Sequence, residues 1–318
     1  MKISKWQSGF HLPQSSSVVI GNFDGVHRGH QKMLARCCEI ASEKQLLATA
    51  VSFFPHTKIL TRGENPCVIS NLADRAFYLA EQKISDWVLM SFNQKLRQTS
   101  AEDFVKRCLL TGLQAKFVIV GEDFRFGYQG QGTAEKLAQF GEKYGFAVEI
   151  IPAVCEENQR ISSSKIRELL QEKNIATAAK MLGHFPSFIG TVKAGAGRGK
   201  KLDARTANLH IPQNWAVADG VYALEVEILA SGEKFQAVAN VGSAPTFHSA
   251  RRKIEAHLLD VERDLYGQKL NISVEKFLRN IVKFDNFSEL QKQISLDIAA
   301  ARQFFDAESK TLTASMEI

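Results

Sequence analysis

The first half of the chain alternates short, wholly apolar runs with segments of helical period, and few folds accept that pattern. Val18-Val-Ile20, Leu46–Phe53 (LLATAVSF), Trp87–Met90 (WVLM), Phe117–Val120 (FVIV) and Ala147–Ile151 read as strands. Between them, Met33, Leu34, Cys37, Cys38 and Ile40 fall near one helix face. Leu72, Phe77 and Leu79 lie in a second helix over 71–83, and Leu137, Phe140 and Tyr144 in another. Ser100 and Asp103 have capping-box spacing ahead of Phe104, Val105, Cys108 and Leu109. Strands that are apolar throughout must be covered on both faces, so the pattern predicts an α/β fold with a mostly parallel sheet between helices. Ligands in such folds bind beyond the C-terminal ends of the strands.

Three loops fall at that edge. The first, Val18–His30 (VVIGNFDGVHRGH), carries Gly21, Gly25 and Gly29 and leads into a helix near His30. Free N–H groups and the dipole make a helix N-terminus an anion site. His27 and His30, three apart, share a side of the first turn and can donate to a phosphoryl group as its charge shifts. The second loop, Gly121–Gly127 (GEDFRFG), holds Asp123 between glycines, with Phe124 and Phe126 as flat apolar surfaces. The third, Arg160–Leu170 (RISSSKIRELL), sets three serines before a helix whose first turn holds Lys165 and Arg167. Alone it is an ordinary serine cap with a solvated charged face. Beside a histidine loop it reads as a phosphate site, because an arginine at a helix N-terminus gains from a bound anion.

Composition narrows the class. No run of about 18 apolar residues exists, so no membrane span is expected, and MKISKWQSGFHLP lacks the apolar core of a signal peptide. The five cysteines show no C-x-x-C spacing and read as small hydrophobes or free thiols in the cytoplasm. A net charge of +6 favours anionic ligands without arguing for nucleic acid. No basic patch is interleaved with aromatics, and no K-M-S-K-S-like segment accompanies H-x-G-H.

Beyond Gly183-His-Phe-Pro186 the period changes to two. Val221, Ala223, Glu225 and Glu227 alternate with Tyr222, Leu224, Val226 and Ile228. Further strands are expected at 188–193, 235–241, 254–259 and 270–277, which together suggest an antiparallel barrel. A last helix, with Leu290, Ile294, Ile298, Ala301 and Phe305 on one face, should pack on it. Gly195-Ala-Gly-Arg-Gly199 fits neither a Rossmann fingerprint nor a Walker loop, and reads as a flexible basic loop able to wrap phosphates.

GNFDGVHRGHQ, FFPH, GEDFRFG and ISSSKIR, in that order, resemble the adenylyltransferase module of the prokaryotic bifunctional riboflavin kinase/FAD synthetase family. GTVKAGAGRGKKL, RTANL, ADGVYAL, VANVGSAPTF, IEAHLLD, DLYGQKL and KFDNFSEL resemble its kinase module. The resemblance implies a nucleotidyltransferase-type domain over 1–185 and a riboflavin kinase barrel over 186–318. It implies phosphorylation of riboflavin to FMN by ATP, then adenylylation of FMN to FAD with release of pyrophosphate, both with Mg2+. It places His27 and His30 at the ATP α-phosphate beside Gly21, Asn22 and Phe23, and Ser163, Ser164 and Arg167 on the departing phosphates. Asp123 falls near the flavin. Thr206 and Asn208 would bind Mg2+ and ATP, and Glu255 would be the general base. From spacing alone Glu255 is a solvent-facing strand residue.

The sequence departs from the family where it bears on the kinase. Asp203-Ala-Arg205 stands where G-F-P is usual before Thr206, Ala194-Gly195 replaces His-Gly, and Thr57 ends the usual P-H-P. A kinase retained but altered is the expectation, with an adenylyltransferase bearing a degenerate barrel as the alternative. The partners expected are small molecules, with neither nucleic acid nor membrane.

Overall fold

The structure, a computed structural model, describes residues 1–55, 63, 66–193, 206–243, 252–261, 263, 265–284 and 286–316, the side chains of Thr206 and of 311–316 excepted. The chain forms two compact units, Met1–Pro66 with Arg75–Ser163, and Cys67–Asp74 with Ser164–Ile318.

The first unit is built on a parallel sheet of six strands: β1 (Lys2–Lys5), β2 (Ser16–Ile20), β3 (Leu47–Phe54), β4 (Asp86–Ser91), β5 (Ala115–Gly121) and β8 (Ala147–Ile151), in the order β1-β4-β3-β2-β5-β8. Two-residue ladders, β6 (Arg125–Phe126) with β7 (Gly132–Thr133) and β9 (Cys155–Glu156) with β10 (Gln159–Arg160), decorate it. Every residue of β2 is buried, as a strand with neighbours on both sides and helices on its faces requires. The chain leaves β2 for β3 on one side and meets β5 on the other, so the loop after β2 opens at the point where strand order reverses, the usual ligand position.

Helix α1 (Arg28–Lys44) buries Met33, Leu34, Cys37, Ile40 and Ala41 along one stripe; Cys38 sits at its margin, half-buried. It ends on Gln45 in the left-handed region. Helices α2 (Leu72–Glu81) and α3 (Ala134–Tyr144) follow. Ser100 caps as its spacing predicts: its Oγ accepts from Asp103 N–H at 3.0 Å. The turn then continues as a π-helix, Phe104–Gly112, whose buried Phe104, Val105, Cys108 and Leu109 join the sheet core.

In the second unit β11 (Ser187–Thr191), β12 (Thr206–His210), β13 (Gly220–Ile228), β14 (Lys234–Gly242), β15 (Lys253–Leu258) and β16 (Lys269–Arg279) pair antiparallel in the order β11-β16-β13-β14-β15-β12. A bridge between Lys193, just beyond β11, and Asn208 of β12 brings the first and last strands together, so the sheet is a nearly closed barrel. Tyr222, Leu224, Val226, Ile272 and Val274 fill it. Outside, Val221, Ala223 and Val238 pack against Ala301 and Phe305 of the last helix, Phe287–Met316.

Helices α4 (Ser163–Gln171) and α5 (Ile175–Leu182) precede the barrel, and Gly183, at φ +80, closes α5. The strip 67–74 belongs with the barrel. Val68 bridges Trp215, and the Trp215 indole N–H donates to Ile69 C=O at 3.1 Å. Asn71 Nδ2 donates to Ile189 C=O at 3.1 Å, and the Asp74 carboxylate, fully buried, accepts from the N–H groups of Ile189 and Asn71.

Candidate active sites

At the end of β2 the chain turns through a strained loop. Phe23, Gly25 and Val26 have φ of +50°, +81° and +38°. A left-handed residue other than glycine costs about 1–2 kcal/mol, so surrounding contacts must hold this shape. They are present. Val26 N–H donates to Phe23 C=O at 3.2 Å, and Gln31 Nε2 to Val26 C=O at 2.9 Å. Asp24, 1% exposed, pairs with the Arg75 guanidinium at 2.9 Å, and Arg75 also reaches Asn22 C=O at 3.2 Å.

His27 is the N-cap of α1. Its Nδ1 accepts from His30 N–H at 3.3 Å, so in the neutral ring the proton sits on Nε2. The two imidazoles stack with centroids 3.6 Å apart, and Phe23 meets His30 edge-on at 5.3 Å. Phe23 is wholly buried, so its ring supports His30 from the protein side. A Cβ on Gly29 would lie 3.2 Å from the His27 ring, which is why glycine follows there.

Burial, then the neighbouring His27 and Arg75, holds His30 well below the ordinary histidine range. The ring is therefore neutral at pH 7. Its buried Nδ1 has no hydrogen-bond partner among the described residues. An unsatisfied buried nitrogen beside an N-cap histidine and a helix N-terminus suits a phosphoryl oxygen.

Ser163, the first residue of α4, donates from Oγ to Asp24 C=O at 3.0 Å. Only Ser162 of the three serines precedes the helix. Ser164 and Arg167 lie one and four residues further along α4, in the part that belongs to the second unit.

Asp123 stands on an exposed turn, where Phe124 N–H donates to Gly121 C=O at 3.0 Å, and its carboxylate accepts from Arg160 at 2.7 Å. Phe124 and Phe126 stack at 5.4 Å, but Phe126 is buried and packs at 5.6 Å on Phe104. The expectation of two free flat surfaces is corrected: β6 turns Arg125 out and Phe126 into the core, and Phe124, on the same side as Phe126, packs half-buried against that core. The β9–β10 hairpin is tied by ion pairs from Arg160 to Asp123 and from Glu156 to Arg28, the arginine of H-R-G-H.

On the barrel, Asn208, Glu255 and Asn240 lie directly opposite one another across β12, β15 and β14. Paired residues of adjacent strands share a face. Theirs is the outward one, since the alternate Ala207, Leu209, Ile254 and Ala256 are buried. Thr206 lies two residues from Asn208, opposite His257. The Glu255 carboxylate pairs with Lys253. Among the described residues no group of three or more His, Cys, Asp or Glu could cage a metal. Asn208 offers a hard oxygen on this face, which fits a magnesium ion that takes few protein ligands and completes its shell with substrate phosphates and water. The basic loop 195–199, Asp203–Arg205, His56-Thr57 and Ala244–Phe247 lie outside the described residues.

Sequence reasoning passed over Asp24, Arg75, Lys253 and Asn240. Asp24 lies inside the glycine motif and could have been noticed. Arg75 is 51 residues away from its partner and gives no local signal.

The FAD synthetase family model matches residues 10–165 and the riboflavin kinase model residues 182–305. The bifunctional riboflavin kinase/FMN adenylyltransferase of Escherichia coli K12 is 36% identical over 296 residues, covering 92% of this chain and 94% of the relative. The chain belongs to the bifunctional riboflavin kinase/FMN adenylyltransferase family. The Haemophilus influenzae member is 34% identical over 92% of this chain and 96% of its own. A solved structure described as a macrolide-efflux protein from Streptococcus pneumoniae superposes with a TM-score of 0.80 at 29% identity, over 95% of this chain and 99% of that one. Among the described residues no helix is long and apolar enough to cross a membrane. This family member carries both a FAD synthetase and a riboflavin kinase domain, and a degenerate barrel is not favoured.

Proposed function

We propose that FMN is joined to AMP at the N-terminus of α1, within a domain spanning 1–185, and that riboflavin is phosphorylated on the outward face of the barrel, within 186–318. The stacked His27–His30 pair at the start of α1, with the unsatisfied Nδ1 of His30, carries the first assignment. An FMN phosphate oxygen attacks the α-phosphorus of ATP, the bond to the β-phosphate oxygen breaks, and pyrophosphate leaves. No protein nucleophile is required, only positioning and charge stabilisation. His27 and His30 donate to the α-phosphoryl oxygens, and the backbone of Gly21, Asn22 and Phe23 lines the approach. Ser163, Ser164 and Arg167 are assigned to the leaving phosphates from the sequence motif. Asp123 is assigned to the flavin side.

In the kinase reaction the ribityl hydroxyl passes its proton to Glu255 as its oxygen attacks the γ-phosphorus, and ADP departs. Thr206 and Asn208 would hold Mg2+. Bound magnesium neutralises phosphate charge in both reactions. The substrates are ATP, riboflavin and FMN, the setting is the cytoplasm, and neither nucleic acid nor membrane takes part. The test is His30→Ala, given FMN or riboflavin with ATP and magnesium. FAD formation is expected to fall at least about 100-fold, as for lost transition-state donors, while FMN still forms from riboflavin. FAD at the parental rate would reject the site.

A further inference from the structure

The loop bearing the two histidines owes its shape to a residue far away in sequence. We propose that Arg75 is a positioning residue for adenylyl transfer: its guanidinium locks the loop between β2 and α1 by pairing with buried Asp24 and capping Asn22 C=O. This rests on the reading of His27 and His30 above.

The Arg75 side chain is 8% exposed and that of Asp24 1%, and the two charges are turned on each other. Arg75 Nη2 meets Asp24 Oδ1 at 2.9 Å and Nη1 meets Asn22 C=O at 3.2 Å, one contact on each side of Phe23. Phe23 is the residue at φ +50 whose ring faces His30. The Asp24 carbonyl takes the Ser163 hydroxyl at 3.0 Å, so one residue is held by its carboxylate from α2 and by its carbonyl from α4. A planar fork meeting two oxygens is something lysine cannot reproduce.

Arg75 also acts on His30 through space, and with His27 it is the charged or titratable group that faces that ring; Asp24 is engaged by the guanidinium itself. Losing the cation therefore moves His30's titration to higher pH, which a purely structural prop would not do.

The experiment uses the full chain as Arg75→Met, Arg75→Lys and His30→Ala. Readouts are kcat and KM for FAD formation, FMN formation from riboflavin, and His30 ring titration by NMR. For Arg75→Met, kcat for FAD should fall about 30-fold or more, FMN formation should stay within about twofold, and the His30 titration should rise. Arg75→Lys should lose part of kcat yet leave that titration near its parental place, and it serves if the methionine variant fails to fold. FAD formation within about twofold of parental in both arginine variants overturns the proposal. So does a parallel loss of both reactions, or lost FAD formation with the His30 titration unmoved. His30→Ala at the parental rate would instead overturn the underlying site.

Discussion

Replacing Glu275 by glutamine should stabilise the barrel at alkaline pH and do nothing at acid pH. Glu275 sits in a β-bulge: Leu224 pairs with Val274 and Ala223 with Lys276, leaving Glu275 as the extra residue of β16. Burial pushes its carboxyl up to about 7, with Glu225 and Glu308 adding to the rise and Lys234 opposing it. Lys234 is already paired with Glu225 at 2.7 Å. In the unfolded chain the group ionises near 4.5, so between 4.5 and about 7 the fold holds a proton that the unfolded chain has released. Stability therefore falls as pH rises through that window and is lowest above it. The full gap corresponds to about 3 kcal/mol at about 1.4 kcal/mol per pH unit. Glu275 is only half-buried, and solvent screening reduces this to roughly 1–2 kcal/mol. Calorimetry on the full chain should show Glu275→Gln raising one transition by about 3–6 °C at about pH 8.5, with no change at about pH 4. An equal shift at both pH values, or a lower transition at alkaline pH, would refute the reasoning.

Other perturbations read separate parts of the structure. Glu255→Gln should cut FMN formation about 10²–10⁴-fold and leave FAD formation from supplied FMN intact; chromatography of the flavins checks both. Gly127→Ala should lower the urea midpoint by an amount equivalent to about 2–4 kcal/mol. Its φ is +74, and a Cβ would lie 2.7 Å from the Ala101 backbone. Asp74→Ala should cost about 2–3 kcal/mol, because two N–H groups lose their buried acceptor; an unchanged melting profile would count against that.

Much of the fold was legible because the central strands are apolar on both faces. β2, β3, β4 and β5 announce themselves that way. β1, Lys-Ile-Ser-Lys, is an edge strand with mostly exposed side chains and gives no such run. β12 is absent from the expected strands although Thr206–His210 does alternate, with Ala207 and Leu209 buried; only two of its residues are apolar, too short a pattern to mark a strand. The histidine loop was legible as a motif, but its rigidity was not. Arg75 and Asp24 meet only once α2 has been placed, and residue type alone does not separate that arginine from a solvated one.

The strip 67–74 has a consequence for how such a chain can be cut and spliced. It is encoded inside the adenylyltransferase half, yet it supplies acceptors for the Trp215 indole N–H and the Ile189 N–H. A gene fragment opening at residue 186 would express a barrel with those two donors orphaned. Recombination that moves the barrel intact must carry two pieces of coding sequence, and during synthesis the earlier piece leaves the ribosome long before the strands that it will join.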